Sequence, residues 1–565
     1  MGGSVVEEGI KIIIIGAVAA GTSAAAKIRR KSESAEIVIY EKDSYISYGT
    51  CGLPYFVSEK IKNIYRLIVN TVERFEKRFN LKVKTLHEVT GINPLKKQIL
   101  VKNLTTAEYF NDYFDRLIIA TGSIPIKLKF DDDVKNPENI FGLKTIDDAV
   151  RLKKYMDKID RKSNSKKKVV IIGGGFIGLE LLEAFLDREY KVSIVEKTSQ
   201  ILPMFDKEVI DYLENYLKEK GVNIYRGDEV IGLIKDKSGS ILSVETLNHG
   251  TLKTDIVFLG IGTRPNVKLA RDCGIKIGKS GSIAVDKFMR TNFKYIYAAG
   301  DCCECNNLLT GNGRSYNLAN IAVRQGRVAG SNAVGGREKF SGSVTNSIIK
   351  VLDVAIAKIG LSFKETEELG INADFIELHD QSHAGYYPGA DKIYMIIIFN
   401  KKTGKILGFQ AIGRSGVDKR VDVVSTAMAG NLRIWELADL DLGYHPAYGS
   451  ARDPINMLGL IAGNLKKGEI DFLSVDRLKE KIRKVENITI LDVRTKKEYD
   501  EGHIDGAVLI HIDDLRKNID KLDAKSQIII YCETGYRAYQ GFRILKNLGF
   551  KNVKVLNGSY LSWIR

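Results

Sequence analysis

Cys51 stands alone in the run Ser47-Tyr48-Gly49-Thr50-Cys51-Gly52-Leu53-Pro54-Tyr55. The positions where an internal CxxxxC redox pair would need its second sulfur hold Ile46 and Phe56. Gly52-Leu53-Pro54 reads as a helix start, with the proline in the first turn, where its missing N–H does no harm. A sulfur at such an N-terminus is favoured as the thiolate, which attacks S–S bonds and becomes half of a mixed disulfide. With no second cysteine close in sequence, the partner sulfur or oxygen species has to come from outside the chain.

Two segments that share one grammar are expected to feed this sulfur. The first runs from the strand-like Ile10-Lys11-Ile12-Ile13-Ile14-Ile15 through Gly16-Ala17-Val18-Ala19-Ala20-Gly21 to Ile37-Val38-Ile39-Tyr40-Glu41. The second runs from Val169-Val170-Ile171-Ile172 through Gly173-Gly174-Gly175-Phe176-Ile177-Gly178 to Val192-Ser193-Ile194-Val195-Glu196. In each, a glycine turn brings backbone N–H groups and a helix N-terminus to a pyrophosphate, and the distal acid accepts hydrogen bonds from a ribose. The second has the full GxGxxG pattern, whereas the first carries Val18 in place of the middle glycine. Two dinucleotides are therefore expected, and Glu196 repels a ribose 2′-phosphate, which favours NADH over NADPH. Thr121-Gly122 after the strand-like Arg116-Leu117-Ile118-Ile119, and Gly300-Asp301 after Tyr295-Ile296-Tyr297-Ala298-Ala299, mark the first site as a flavin site, with Asp301 suited to a ribityl hydroxyl.

Length and composition set the frame. A chain of 565 residues is too long for one core, and roughly 100 to 200 residues per domain implies three to five domains. The longest apolar stretch, Ile12 to Ala26, is broken by Gly16, Gly21, Thr22 and Ser23 and is too short to span a bilayer. Met1 to Gly9 has neither a basic n-region nor an apolar h-region, and six cysteines do not make a disulfide scaffold, so a cytoplasmic location is expected. The net charge of +16 is spread among 70 acidic residues rather than gathered in one arm, which reads as a solvated lysine-rich surface and not a nucleic-acid site.

The four nucleotide motifs, in this order, resemble the FAD-dependent pyridine nucleotide-disulfide oxidoreductases over residues 10 to 465. The resemblance implies an α/β protein with two Rossmann-like domains: a discontinuous FAD domain (10–149 and 265–338) interrupted by an NAD domain (150–264). An α+β dimerisation domain (339–465) then follows, and a homodimer is implied. After a linker (466–472), residues 473–565 resemble an α/β rhodanese domain through Ile488-Thr489-Ile490-Leu491-Asp492-Val493-Arg494 and the loop Cys532-Glu533-Thr534-Gly535-Tyr536-Arg537. In that domain a cysteine sits at a strand-to-helix turn, ringed by N–H groups that stabilise a thiolate or persulfide, and Arg537 closes the loop with positive charge.

Glutathione-type members use two cysteines and an HPxxxE dyad, but here Ser450 stands in the place of the Glu after His445-Pro446. Peroxide- and oxygen-reducing members carry a histidine where this chain has Ala19. Within the family, the pattern around Cys51 resembles the coenzyme A-disulfide reductases fused to rhodanese, also described as NADH-dependent persulfide or polysulfide reductases. Thr50 departs from their usual Asn. The resemblance implies FAD, NADH and coenzyme A as the small molecules. It implies Ser23, Lys27, Arg30, Ser47 and Thr50 as coenzyme A contacts, and Tyr386 and Tyr444 as partner-subunit tyrosines at the active cysteine. Tyr387 and Tyr448 are the lesser candidates, and His445 replaces a usual small residue. The activity expected is NADH-driven reduction of a coenzyme A persulfide, a polysulfide or coenzyme A disulfide, with Cys532 relaying sulfane sulfur. An NADH oxidase or peroxidase with an appended sulfurtransferase, and a sulfur carrier whose flavin part only resets redox state, are the alternatives. Cys302, Cys303 and Cys305 read as a structural cluster rather than a metal site, and no metal is expected.

Overall fold

Runs of isoleucine and valine bounded by glycine form the central strands of two parallel sheets, because strands covered on both faces are apolar throughout. The computed structural model describes residues 9–128, 137–162, 165–237 and 239–565, so apart from Gly9 the leaderless reading of Met1 to Gly9 lies outside the described residues. The chain divides into two units: Met1–Ser199 with Val222–Thr345, and Gln200–Gly221 with Asn346–Arg565.

In the first unit, one sheet has the order Ile296–Ala298, Arg116–Ile119, Lys11–Ile15, Glu36–Tyr40, Lys82–Lys84, all parallel. Its central residues Ile12, Ile13 and Ile14 are completely buried. The helix Ala19–Arg29 follows the first strand and packs on the helix Ala319–Ala333, which returns from some three hundred residues away. The second parallel sheet has the order Asn223–Arg226, Lys191–Glu196, Lys168–Ile172, Ile256–Leu259, Ile140–Phe141. Ile140–Phe141 thus joins the second sheet ahead of residue 150, where the sequence reading starts that domain. A two-stranded ladder, Ser123–Pro125 with Thr263–Pro265, links the places where the chain leaves the first domain and re-enters it. Each parallel sheet is accompanied by a three-stranded antiparallel one, His87–Asn93 to Tyr109–Tyr113 in the first case and Val230–Lys235 to Gly250–Lys253 in the second.

The second unit holds an antiparallel sheet in the order Asn346–Val351, Val354–Gly360, Ile406–Gly413, Lys392–Asn400, Ala373–Gln381, with the helices Val417–Ala429 and Pro454–Lys466. A parallel sheet follows, in the order Phe472–Leu473, Val553–Leu556, Gln527–Tyr531, Ile488–Asp492, Val508–Leu509. The class expected from the sequence, two Rossmann-like units, an α+β domain and a C-terminal α/β domain, is the one observed. Phe472, expected in the linker, is already the first residue of the last sheet.

Candidate functional site

The two glycine turns are built alike. Gly16 has φ +103°, and a Cβ there would lie 2.2 Å from the Ala120 carbonyl oxygen, so only glycine lets the strand turn into the helix. The helix Ala19–Arg29 begins after Val18 with no side-chain cap, and Phe176–Glu180 begins after Gly175 in the same way. Their first N–H groups are therefore available to a pyrophosphate. Gly21 and Gly178 lie inside these helices, each close against the carbonyl of its own turn glycine, Gly16 or Gly173. The Ala17 N–H donates to Glu41 Oε2 at 2.7 Å, and the Gly174 N–H donates to Glu196 Oε2 at 2.8 Å. Each carboxylate thereby orients itself beside its turn and keeps lone pairs for ribose hydroxyls, which fits a dinucleotide at both places. Burial pushes the Glu41 carboxyl up.

Thr121 Oγ1 donates to the Asn266 carbonyl at 2.7 Å, and Gly122 has φ +66°. The Gly300 N–H donates to Gln325 Oε1 at 2.9 Å. Asp301 accepts from Ser123 Oγ at 3.0 Å and lies 3.7 Å from Lys144 Nζ, which itself donates to Ser123 at 2.9 Å. Sequence reasoning missed Ser123, Lys144 and Gln325, because nothing local ties them to Gly300-Asp301.

Cys51 is exposed on the 3-10 turn Thr50–Gly52, ahead of the short helix Leu53–Val57. All six cysteines of the chain are free thiols. The segment is pinned to the first glycine turn by the Ser47 N–H, which donates to the Ala17 carbonyl at 2.8 Å. It is pinned on its other side by the Gly49 N–H to the Leu67 carbonyl at 2.9 Å, and by the Val69 N–H to the Ser47 carbonyl at 2.8 Å.

Beside this segment opens a cleft of about 280 Å³. Ser23 and Arg30 from the helix Ala19–Arg29 and its C-terminal cap line it together with Ser47. Lys27 and Thr50 do not line it, and Lys27 is turned to Glu338 in an ion pair of 2.9 Å. The cleft gains Asn70, which donates to Ser47 Oγ at 3.2 Å, and Phe75, Arg78 and Phe79 from the helix Val72–Phe79. Arg327, from the helix Ala319–Ala333, completes a set of three guanidinium groups with Arg30 and Arg78. Arg78 had a weak signal in its amphipathic helix. Arg327 had none.

Tyr386 and Tyr444, nearly sixty residues apart, meet hydroxyl to hydroxyl at 2.9 Å, and both rings are exposed. The hydrogen bond to Tyr444 holds the Tyr386 phenol above its ordinary value. Their loops are joined by the Ala384 N–H, which donates to the Gly449 carbonyl at 3.1 Å. His445 is engaged within its own loop, where Nδ1 accepts from the Ala447 N–H at 3.3 Å and the ring lies against Tyr448.

Cys532 follows directly on the strand Gln527–Tyr531 and is buried. The Gly535 N–H points at its sulfur from 3.1 Å, and its own N–H donates to Ser559 Oγ at 3.0 Å. Arg537, expected to close this loop with positive charge, forks onto Glu498 at 2.8 and 2.5 Å. That pair holds the Glu498 carboxyl down to about 2. Glu498 also forms a capping box with Thr495 at the start of the helix Lys496–Asp500. Cys302, Cys303 and Cys305 are buried against the first sheet, and burial pushes the Cys302 and Cys305 thiols up to about 11.

Comparison with known proteins finds three family models along the chain. The model of the pyridine nucleotide-disulphide oxidoreductase matches residues 10–326, that of the dimerisation domain 347–454, and that of the rhodanese-like domain 474–565. The coenzyme A disulfide reductase of Staphylococcus haemolyticus is 31% identical over 463 residues, covering 80% of this chain and 100% of that protein. Among solved structures, reduced Bacillus anthracis CoADR-RHD is 36% identical with a TM-score of 0.93, covering 99% of this chain and 98% of that one. An NAD-dependent persulfide reductase from A. fulgidus is 33% identical with a TM-score of 0.90, covering 98% of this chain and 100% of that one.

Proposed function

The chain belongs to the pyridine nucleotide-disulphide oxidoreductases, and from that premise we propose that it is an NADH-dependent flavoprotein reducing a coenzyme A persulfide, a polysulfide or coenzyme A disulfide through Cys51. In this reading Cys532 relays sulfane sulfur, and the protein acts in the cytoplasm as a homodimer. Among the described residues no helix is long and apolar enough to cross a membrane.

Gly16, Gly21 and Glu41, with Thr121, Gly122, Gly300 and Asp301, are the residues that would hold FAD; Gly173, Gly175, Gly178 and Glu196 would hold NADH. When bound, these cofactors supply a hydride at the nicotinamide and an electron pair at the sulfur. The work left to the chain is to bind, orient and protonate. Cys51 as thiolate attacks the inner sulfur of a persulfide, a mixed disulfide forms, and hydrosulfide leaves. Two electrons and a proton then return the thiolate of Cys51 and release the carrier thiol. Arg30, Arg78 and Arg327 suit the phosphates of coenzyme A, because a guanidinium fork matches phosphate oxygens, while Phe75 and Phe79 offer apolar walls. The Tyr386–Tyr444 pair of one protomer is assigned to the departing thiolate at Cys51 of the other, as a hydrogen-bond donor.

The observation that carries this reading is an exposed, unpaired Cys51 four residues from Ser47 on the rim of an arginine-lined cleft. Cys51→Ser should abolish NADH-driven sulfide release from coenzyme A persulfide while FAD content stays unchanged. Intact mass of the gently purified enzyme should show a coenzyme A adduct that is absent from the variant. Sulfide release at the wild-type rate by the variant would sink the proposal.

A further inference from the structure

Two exposed phenols gain little from a mutual hydrogen bond in water, so the 2.9 Å contact between Tyr386 and Tyr444 needs loops that hold it. The Tyr386 loop runs from Ser382 to Asp391, and its base is closed by the Ser382 N–H to the Asp391 carbonyl at 2.8 Å and the Asp391 N–H to Ser382 Oγ at 3.1 Å. Between these ends the chain carries Gly385 and Gly389, which do not stiffen it. What spans the loop is the buried ring of His383. Its Nδ1 lies 3.0 Å from Ser382 Oγ and its Nε2 lies 3.3 Å from the Pro388 carbonyl oxygen. A carbonyl only accepts, so the partners assign the ring proton to Nε2, and Nδ1 accepts from the Ser382 hydroxyl. The same ring meets Tyr387 edge-on, with centroids 5.7 Å apart. The next residue, Ala384, donates its N–H to the Gly449 carbonyl in the Tyr444 loop.

We propose that His383 is the positioning residue of the phenol pair: its ring clips the two ends of the Tyr386 loop and holds Tyr386 in reach of Tyr444. The inference rests on the reading of the phenols as donors at the reacting sulfur. His383 itself touches neither hydroxyl, and it acts through the loop it braces.

The test uses the full-length FAD-loaded enzyme with coenzyme A disulfide as substrate. Tyr386→Phe establishes whether the phenol matters. His383→Leu removes both hydrogen bonds, and His383→Gln keeps one donor and one acceptor on a flexible arm. A misplaced group costs rate rather than binding, so His383→Leu should lower kcat about tenfold with KM for NADH unchanged, and His383→Gln should recover most of that loss. Hydrogen exchange in the peptide 382–391 should speed up in the Leu variant and return towards wild type in the Gln variant. If Tyr386→Phe turns over like wild type, the reading of the phenols fails and takes this inference with it. If Tyr386→Phe is slow while His383→Leu is not, this inference alone is overturned. Equal losses in the Leu and Gln variants, with loss of dimer or FAD, would make His383 a plain core residue and overturn it too.

Discussion

The contact between the helices Ala19–Arg29 and Ala319–Ala333 serves the flavin turn and the cleft at once, and one methyl group should damage both. A Cβ on Gly326 would lie 2.3 Å from the Ala20 carbonyl oxygen, and one on Gly330 would lie 2.4 Å from that of Ala24. Ordinary contact begins at 3.4 Å and the obstacle is backbone, so Gly326→Ala must part the helices by about 1 Å. Overpacking of this kind costs about 1 to 3 kcal/mol. Ala20 sits one residue into the helix whose N-terminus faces the first nucleotide turn, and the same pair of helices carries Ser23, Arg30 and Arg327. If about 2 kcal/mol of the strain is relieved by shifting that helix, FAD affinity falls roughly thirtyfold. The assay is flavin release followed by fluorescence on dilution of the holoenzyme, with KM for coenzyme A disulfide measured in parallel at saturating FAD. Gly330→Ala, one turn further from the nucleotide, should release FAD less readily while still raising that KM. FAD retention and KM both at wild-type values in Gly326→Ala would refute the claim that this contact positions the site.

Two further outcomes follow from the geometry. Arg327→Ala removes one of three guanidinium groups from the cleft and should raise KM for coenzyme A disulfide about tenfold, with KM for NADH unchanged; wild-type KM would remove Arg327 from the substrate site. The Glu498–Arg537 pair makes a pH prediction with a definite sign. The Glu498 carboxyl is held down to about 2 from an ordinary value of 4.5, so the pair's stabilisation is complete above pH 4.5 and is lost as pH falls towards 2. Exchange protection of the Cys532 loop in the full chain should therefore fall between pH 4.5 and 2.5 in wild type, and Glu498→Gln should flatten that limb. An unchanged limb in the variant would assign it to another group.

What the sequence disclosed was what neighbouring residues decide. Isoleucine runs ended by Gly16 and Gly173 state strand, turn and helix within a dozen positions, and Glu41 and Glu196 follow at the end of the next strand. The cleft is different, because its walls come from helices beginning at Ala19, Val72 and Ala319, and no local pattern links Arg78 or Arg327 to Ser47. Ser23, Lys27 and Arg30, named from the family resemblance, fall on one helical face, yet Glu338, three hundred residues on, pairs with Lys27. Arg537 likewise shares its charge with a carboxylate 39 positions earlier. A side chain's type is local, but the ion pair that sets its electrostatic meaning is not.

The rhodanese-like domain is held to the antiparallel sheet by polar groups that water does not reach. Glu377 lies inside that sheet, with its side chain 1% exposed, and accepts from Ser562 Oγ, Tyr394 Oη and Arg565 Nη1, each at 2.7 Å. Its N–H donates to Asn557 Oδ1 at 3.0 Å, and Tyr212 Oη donates to the Leu561 carbonyl at 3.0 Å. His379, whose imidazole burial pushes down to about 3, stays neutral and pairs with Ser562 at 2.9 Å. Lifting the domain away would separate the buried Arg565–Glu377 ion pair and return both charges to water. Swinging the whole domain during turnover would break these contacts together. Within this unit the sulfur of Cys532 thus keeps a fixed place relative to the sheet whose strands Ala373–Gln381 and Lys392–Asn400 flank the Tyr386 loop.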